Sequence, residues 1–153
     1  VALDPTARQA NFIDSIKKFF VDNINRIEGL PLLFDRSLVT PQIQGVEVDK
    51  WVAVAFGDMN MGHVSDSLVE VYCCSRRDPE GFKLAQIRDK VVGYLTDSSA
   101  TDGLRRIPLY KTPAWTQVGS LIVYQETESG ILVTSDETKF KIVPARFKWA
   151  AII

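Results

Sequence analysis

One histidine, two cysteines and no surplus of either charge leave this sequence short of the groups that most often declare a function. The cysteines, Cys73 and Cys74, are adjacent, so they cannot staple distant segments, and stability has to come from packing. Lys and Arg number 18 against 19 Asp and Glu, a formal net charge of −1. A protein that binds nucleic acid mainly through electrostatics carries a basic excess, and that footprint is missing. No apolar run approaches the roughly 20 residues of a membrane span, and the first residues do not read as a basic segment followed by an apolar signal core. The expectation is a soluble protein that stays in the cytosol where it is made, without membrane or sequence-specific nucleic-acid partners.

What is present is apolar material. Hydrophobic residues make up 46% of 153 residues and aromatics 10%, enough for one substantial core, so a single domain over 1–153 is expected. Asp4-Pro5 is a helix-entry pair, and Ile13, Ile16, Phe20, Ile24 and Ile27 then recur at threes and fours with Phe12 and Phe19 beside them. Gly29 and Pro31 stop this helix at about Glu28. A second helix enters at Asp78-Pro79-Glu80, carries Leu84, Ile87, Val91 and Leu95 on one stripe, and ends near Leu95 before a polar loop, 96–103.

Strands fill the remainder. A short one is expected over Leu32 to Leu38, interrupted at Thr40-Pro41 before a Gln44-Gly45 turn. Lys50 to Gly57 is apolar at both parities, as in an interior strand covered on both faces, and Val64 to Ser75 returns alongside it, with the hairpin loop at 57–63. Leu104 to Tyr110, Trp115 to Gln125, Ile131 to Thr134 and Lys139 to Ile153 follow, separated by turn residues. In the last run the apolar positions move from even (Phe140, Ile142) to odd (Ala145, Phe147, Trp149), which predicts a bulge or bend at Pro144. The fold class is therefore α+β: a mixed, mainly antiparallel sheet with long β-hairpins and two main helices packed on it.

Groups that could carry chemistry are few. A zinc site needs three or four ligands, and His63 with two cysteines on opposite faces of a strand does not supply them. His63 has no nucleophile motif near it, and Gly57 and Gly62 lack the Lys-Ser/Thr of a phosphate loop. No catalytic residue, metal or cofactor is assigned. Asp35, Asp58, Asp66, Glu70, Glu126 and Glu128 contain carboxylate pairs only in the sense that any chain of this size does, and a small cytosolic enzyme using them is the alternative of another class. Interaction candidates are better placed. Met59-Asn60-Met61 sits between glycines at a hairpin tip with Asp58 and His63, and methionine adapts to partner surfaces. The pairs Arg76-Arg77 and Arg105-Arg106 border turns among acidic neighbours, as do Glu126 and Glu128 in their own loop.

The order of elements carries a resemblance. The amphipathic start from Ile13 to Ile27, the hairpin Trp51 to Ser75, the passage Ser75-Arg76-Arg77-Asp78-Pro79-Glu80-Gly81 into Leu84 to Val91, and the pair Val118 to Gln125 with Phe140 to Trp149 together resemble the tail terminator (tail completion) proteins of long-tailed bacteriophages. The resemblance implies a virion structural protein, made in the host cytoplasm. It implies self-association into a ring, commonly a hexamer, which caps the tail-tube protein, stops elongation and offers its other face to the head-tail connector. A tube subunit or a head-completion adaptor of the neck is the neighbouring expectation. On this reading the hairpins around 57–63 and 125–131 serve axial contacts, and the first helix and the arginine pairs serve the ring contact.

Overall fold

The structure, a computed structural model, describes residues 8–34, 42–43, 46–47, 49–60, 64–111, 114–134 and 138–150. The first amphipathic stripe folds as α1 (Arg8–Phe20), which buries Phe12, Ile16, Phe19 and Phe20. The expected start at Pro5 lies outside the described residues. The helix does not run on regularly to Glu28: Val21–Asn25 form a π-helical turn. Widening the turn by a residue shifts the phase, so Ile24 stays buried while Ile27 is 67% exposed. Gly29, at φ +70°, closes the end, its N–H donating to Asn25 O and that of Leu30 to Ile24 O.

Seven strands form one sheet: β1 (Leu32–Phe34), β4 (Lys50–Asn60), β5 (Val64–Ser75), β6 (Arg106–Lys111), β7 (Thr116–Gln125), β8 (Leu132–Val133) and β9 (Lys139–Ala150). Its order is β1-β4-β5-β9-β7-β6, with β8 also paired to β9. Among the described residues only β1 and β4 pair in parallel, Leu32 facing Val52. A separate two-stranded ribbon, β2 (Gln42–Ile43) with β3 (Val46–Glu47), flanks the Gln44-Gly45 turn, whose own residues lie outside those described, as do Asp35 to Thr40.

The hairpin of β4 and β5 is tighter than its glycines suggest. Strand pairing runs through Asn60, so the expected loop at 57–63 shrinks, and Gly57-Asp58 become a bulge between the Phe56↔Val69 and Met59↔Ser67 pairs. A side chain at Gly57 would bring its Cβ to 3.0 Å from Leu68 O, so glycine lets the two backbones approach there.

Pro144 introduces no bulge into the pairing of β9 with β5. The β5–β9 register is continuous from Val64↔Ala150 to Ser75↔Lys139, with Pro144 opposite Glu70. N–H and C=O of one strand residue point to the same side, and the Pro144 carbonyl accepts from Glu126 N–H. The missing donor therefore faces the side where β7 has ended its pairing at Gln125↔Ala145, and the ladder to β5 loses nothing. The change of parity has a different cause. Val143, Ala145, Phe147 and Trp149 face the core, while Phe140 and Ile142 lie half-buried on the other face, where Phe140 meets the Tyr72 ring at 6.2 Å. Trp51 and Cys74, opposite one another in register, are fully buried on that second face.

Both helices cover the core face. α2 (Phe82–Leu95) lays Leu84, Ile87, Val91 and Leu95 against it. It starts three residues after the expected Pro79, because Gly81 breaks the chain at φ +76°. Asp78 still serves the helix end from outside: its carboxylate accepts from Leu84 N–H at 3.0 Å and from Ser75 Oγ at 3.2 Å. At the other end of the sheet Phe12 of α1 stacks on Trp149, with ring centroids 4.4 Å apart, and meets Phe56 and Phe147 edge to face. Ser15 fastens α1 to the edge strand β6: its hydroxyl accepts the Tyr110 N–H at 2.8 Å and donates to Asn11 O at 2.7 Å. That bond satisfies one of the unpaired donors an edge strand presents.

Candidate functional site

The residues expected to make contacts are spread over three parts of the molecule. Asp58 and Asn60 are exposed at the end of β4, but Met59 turns inward and packs against the core; Met61 and His63 lie outside the described residues. Asp58, Asp66 and Glu126 gather around Arg146, whose guanidinium bonds Asp66 at 2.9 Å and Glu126 at 3.3 Å. Burial works against the Arg146 charge, and these carboxylates more than restore it, raising its pKa.

The arginine pairs are split by the fold. Arg76 is half-buried, while Arg77 is exposed in a left-handed conformation at φ +53° and reaches Asp49 at 3.4 Å. Arg105 lies over the Phe19 ring of α1 at 5.9 Å, and Arg106 bonds Asp102 within its own turn at 3.0 Å. Each arginine placed this way has work within its own chain.

Glu128 departs furthest from expectation. The stretch 125–131 is no projecting hairpin, for Glu126 N–H donates to Pro144 O and Ser129 N–H to Ile142 O, so it runs along β9 as an irregular continuation of β7. Arg88 of α2 grips Glu128 at two points, Nε to Oε1 at 2.7 Å and Nη2 to Oε2 at 2.8 Å. The hydrogen bonds from Arg88 hold the Glu128 carboxyl below its ordinary range, with Lys141 adding to the same effect. A carboxylate held this way stays ionised and is a poor proton donor at neutral pH.

Cys73 and Cys74 are buried, unpaired thiols. Burial pushes Cys73 up to about 12, and it raises Cys74 as well, so neither is a thiolate at neutral pH. Among the described residues no group of three or more His, Cys, Asp or Glu is placed to hold a metal ion, and no helix is long and apolar enough to cross a membrane.

Two exposed apolar surfaces escaped the sequence reading. The first lies around the start of α2 and the β8 edge, where Phe82 (68% exposed), Ile131, Leu132 and Val133 are exposed and a cleft of about 260 Å³ is lined by Gly81, Leu84, Ala85, Arg88, Asp89, Ile131 and Lys141. Its signal was available, since Phe82 falls on the helix side opposite the Leu84–Leu95 stripe. The second is the β6–β7 turn, where Trp115 is 44% exposed at φ +56° with Val118 exposed nearby. Its indole meets the Tyr110 ring edge to face at 6.0 Å, and the Lys18 ammonium lies 5.9 Å from it. No sequence pattern announces a tryptophan in that conformation.

The two surfaces lie at opposite ends of the sheet. β7 runs antiparallel to β9 with Ile122 facing Lys148, which carries Trp115 beyond the Ala150 end of β9. Leu132 and Val133 instead face Phe140 and Lys139 at its beginning.

No family model matches this chain, and no curated protein does. One solved structure superposes on 93% of this chain and 95% of its own with a TM-score of 0.60 at 9% sequence identity. The likeness concerns the fold.

Proposed function

We propose that the chain is a structural subunit of a bacteriophage tail or neck, which assembles as a ring, commonly six copies, on the end of the tail tube, stops its elongation and presents a docking face to the head connector. The observation that carries this reading is the pair of unlike apolar surfaces at opposite ends of the sheet, around Phe82–Val133 and around Trp115. A subunit that joins its copies head to tail needs two different patches, whereas a two-fold dimer needs only one. A charge balance near zero suits a surface that meets several protein neighbours and relies on placement of charge for specificity. The folded chain places two helices on one face of a mainly antiparallel sheet, an architecture compatible with this reading.

Electron microscopy of tails made without the protein, together with mass measurement of the purified chain, tests the reading. Tails of uncontrolled length and a closed ring of one layer are expected. Normal tail length with a strictly monomeric chain would overturn it, and polymerisation of the purified chain into long tubes would identify a tube subunit instead.

A further inference from the structure

We propose that α2 is a latch, held on the sheet by carboxylates from four separate stretches of chain, and that it is the first part of the fold to open in acid. The helix carries three cations, Lys83, Arg88 and Lys90, against one acid, Asp89. Each cation reaches a carboxylate outside the helix. Lys83 meets Asp49, just before β4, at 3.8 Å; Arg88 meets Glu128 at 2.7 Å; Lys90 meets Glu28, at the end of the first helical segment, at 3.2 Å. The fourth carboxylate is Asp78, which serves the amino-terminal end of α2 through the Leu84 N–H. Tyr94 adds a second bond to Glu28, its hydroxyl donating to Oε1 at 2.8 Å.

Protonation of these carboxylates does more than remove attraction. Glu128 pairs with both Arg88 and Lys141 of β9, and Asp49 with both Lys83 and Arg77, so each neutralised acid leaves a cation of α2 beside a cation of the body. At the start of the helix Lys139 of β9 donates to the carbonyls of Asp78 and Pro79. Without the Asp78 charge, that ammonium opposes the positive end of the helix dipole. Asp89 stays bonded to Arg88 within the helix. Among the described residues, β5 adds the Cys73 thiol, which is neutral throughout the acid range, and β4 turns Val52 and Val54 to this face.

The two helices differ in what holds them. The buried stripe Leu84, Ile87, Val91 and Leu95 secures α2 at every pH, but α1 seats a bulkier one with Phe12, Ile16, Phe19 and Phe20. The ion pairs Lys18–Asp22 and Arg26–Asp22 lie within the first helical segment itself, and its ties to the sheet at Phe12–Trp149 and Ser15–Tyr110 carry no charge. Around α2, bonds from Tyr94 and Lys90 hold the Glu28 carboxyl below its ordinary range, and those of Arg88 do so for Glu128. At Asp78 burial is outweighed by bonds from the Leu84 and Lys83 amides and the Ser75 hydroxyl, which lower its pKa too. Folded values below the unfolded ones mean that these contributions are whole above the unfolded carboxyl range near pH 4 and are lost as pH falls through the folded values.

Amide hydrogen exchange of the full chain, read by mass spectrometry and corrected for the intrinsic effect of pH, follows the order of opening. As pH falls from 7 to 2, the amides of α2 should lose protection at least about tenfold before those of α1, β5 and β9 change by about threefold. A chain carrying Glu28→Gln, Asp49→Asn and Glu128→Gln together, with Asp78 kept, should show the same selective loss already at pH 7. Asp22→Asn, which breaks pairs inside the first helical segment, should leave α2 protected as in the unaltered chain. Protection of α2 that lasts until α1 or the strands lose theirs would overturn the latch. So would a triple variant that protects α2 at pH 7 like the unaltered chain. The acid titration of the unaltered chain decides by itself where the triple variant does not fold.

Discussion

Arg88 on α2 and Glu128 beside β9 form a two-point ion pair, 2.7 and 2.8 Å, that ties a helix to an otherwise irregular stretch of chain. Both side chains are less than a third exposed, 31% and 25%, so water screens the pair less than it does a surface bridge. The Arg88 bonds lower the folded pKa of Glu128 below that of the unfolded chain. The pair's contribution is therefore present above the unfolded carboxyl range near pH 4 and lost as pH falls through the lower, folded value. Glu128→Gln should cost about 1 kcal/mol at pH 7, and the gap from the unaltered protein should close in acid. Urea denaturation at pH 7 and pH 3 measures it, and an equal gap at both would argue against the pair as its source.

Ser15 is 1% exposed and receives the Tyr110 amide of edge strand β6. Ser15→Ala leaves that donor without its partner, at a cost of about 1–3 kcal/mol. Amide hydrogen exchange is the specific readout, because Tyr110 should lose protection ahead of the interior strands. Unchanged protection at Tyr110 would show that another group serves it.

The π turn makes opposite predictions for two isoleucines three residues apart. Ile24 is fully buried and Ile27 is 67% exposed. Ile24→Ala should cost about 2–5 kcal/mol, whereas Ile27→Ala should stay within about 0.5 kcal/mol. Similar denaturation midpoints for the two variants would mean that the helix continues in regular phase.

With Cys73 pushed up to about 12 by burial and Cys74 also raised, neither thiol has a nucleophilic form available at pH 8. Mass spectrometry after iodoacetamide treatment should find no label on the folded chain and two labels after unfolding in guanidinium. Rapid labelling of the folded chain would place at least one thiol at the surface.

The sequence by itself determined which stretches are regular and which of their sides are apolar, because periodicity is a local property. β5 occupies Val64–Ser75 as its pattern says, the α2 stripe from Leu84 to Leu95 is the buried one, and Lys50 to Gly57 is an interior strand. The interaction candidates were legible only as turn-bordering residues: Glu126 and Asp58 remain exposed, whereas Met59 packs inward and Glu128 is held by Arg88. Tertiary structure decided the rest, since it depends on neighbours remote in sequence. Pro144 stays in an unbroken ladder because β7 stops pairing one residue away, and Phe140 and Ile142 are apolar because Tyr72 and its strand lie beside them on the second face. Trp115 stands out at one end of the sheet and the Phe82–Val133 surface at the other for the same reason: strand register, set by pairings between distant segments, fixes where each turn ends up.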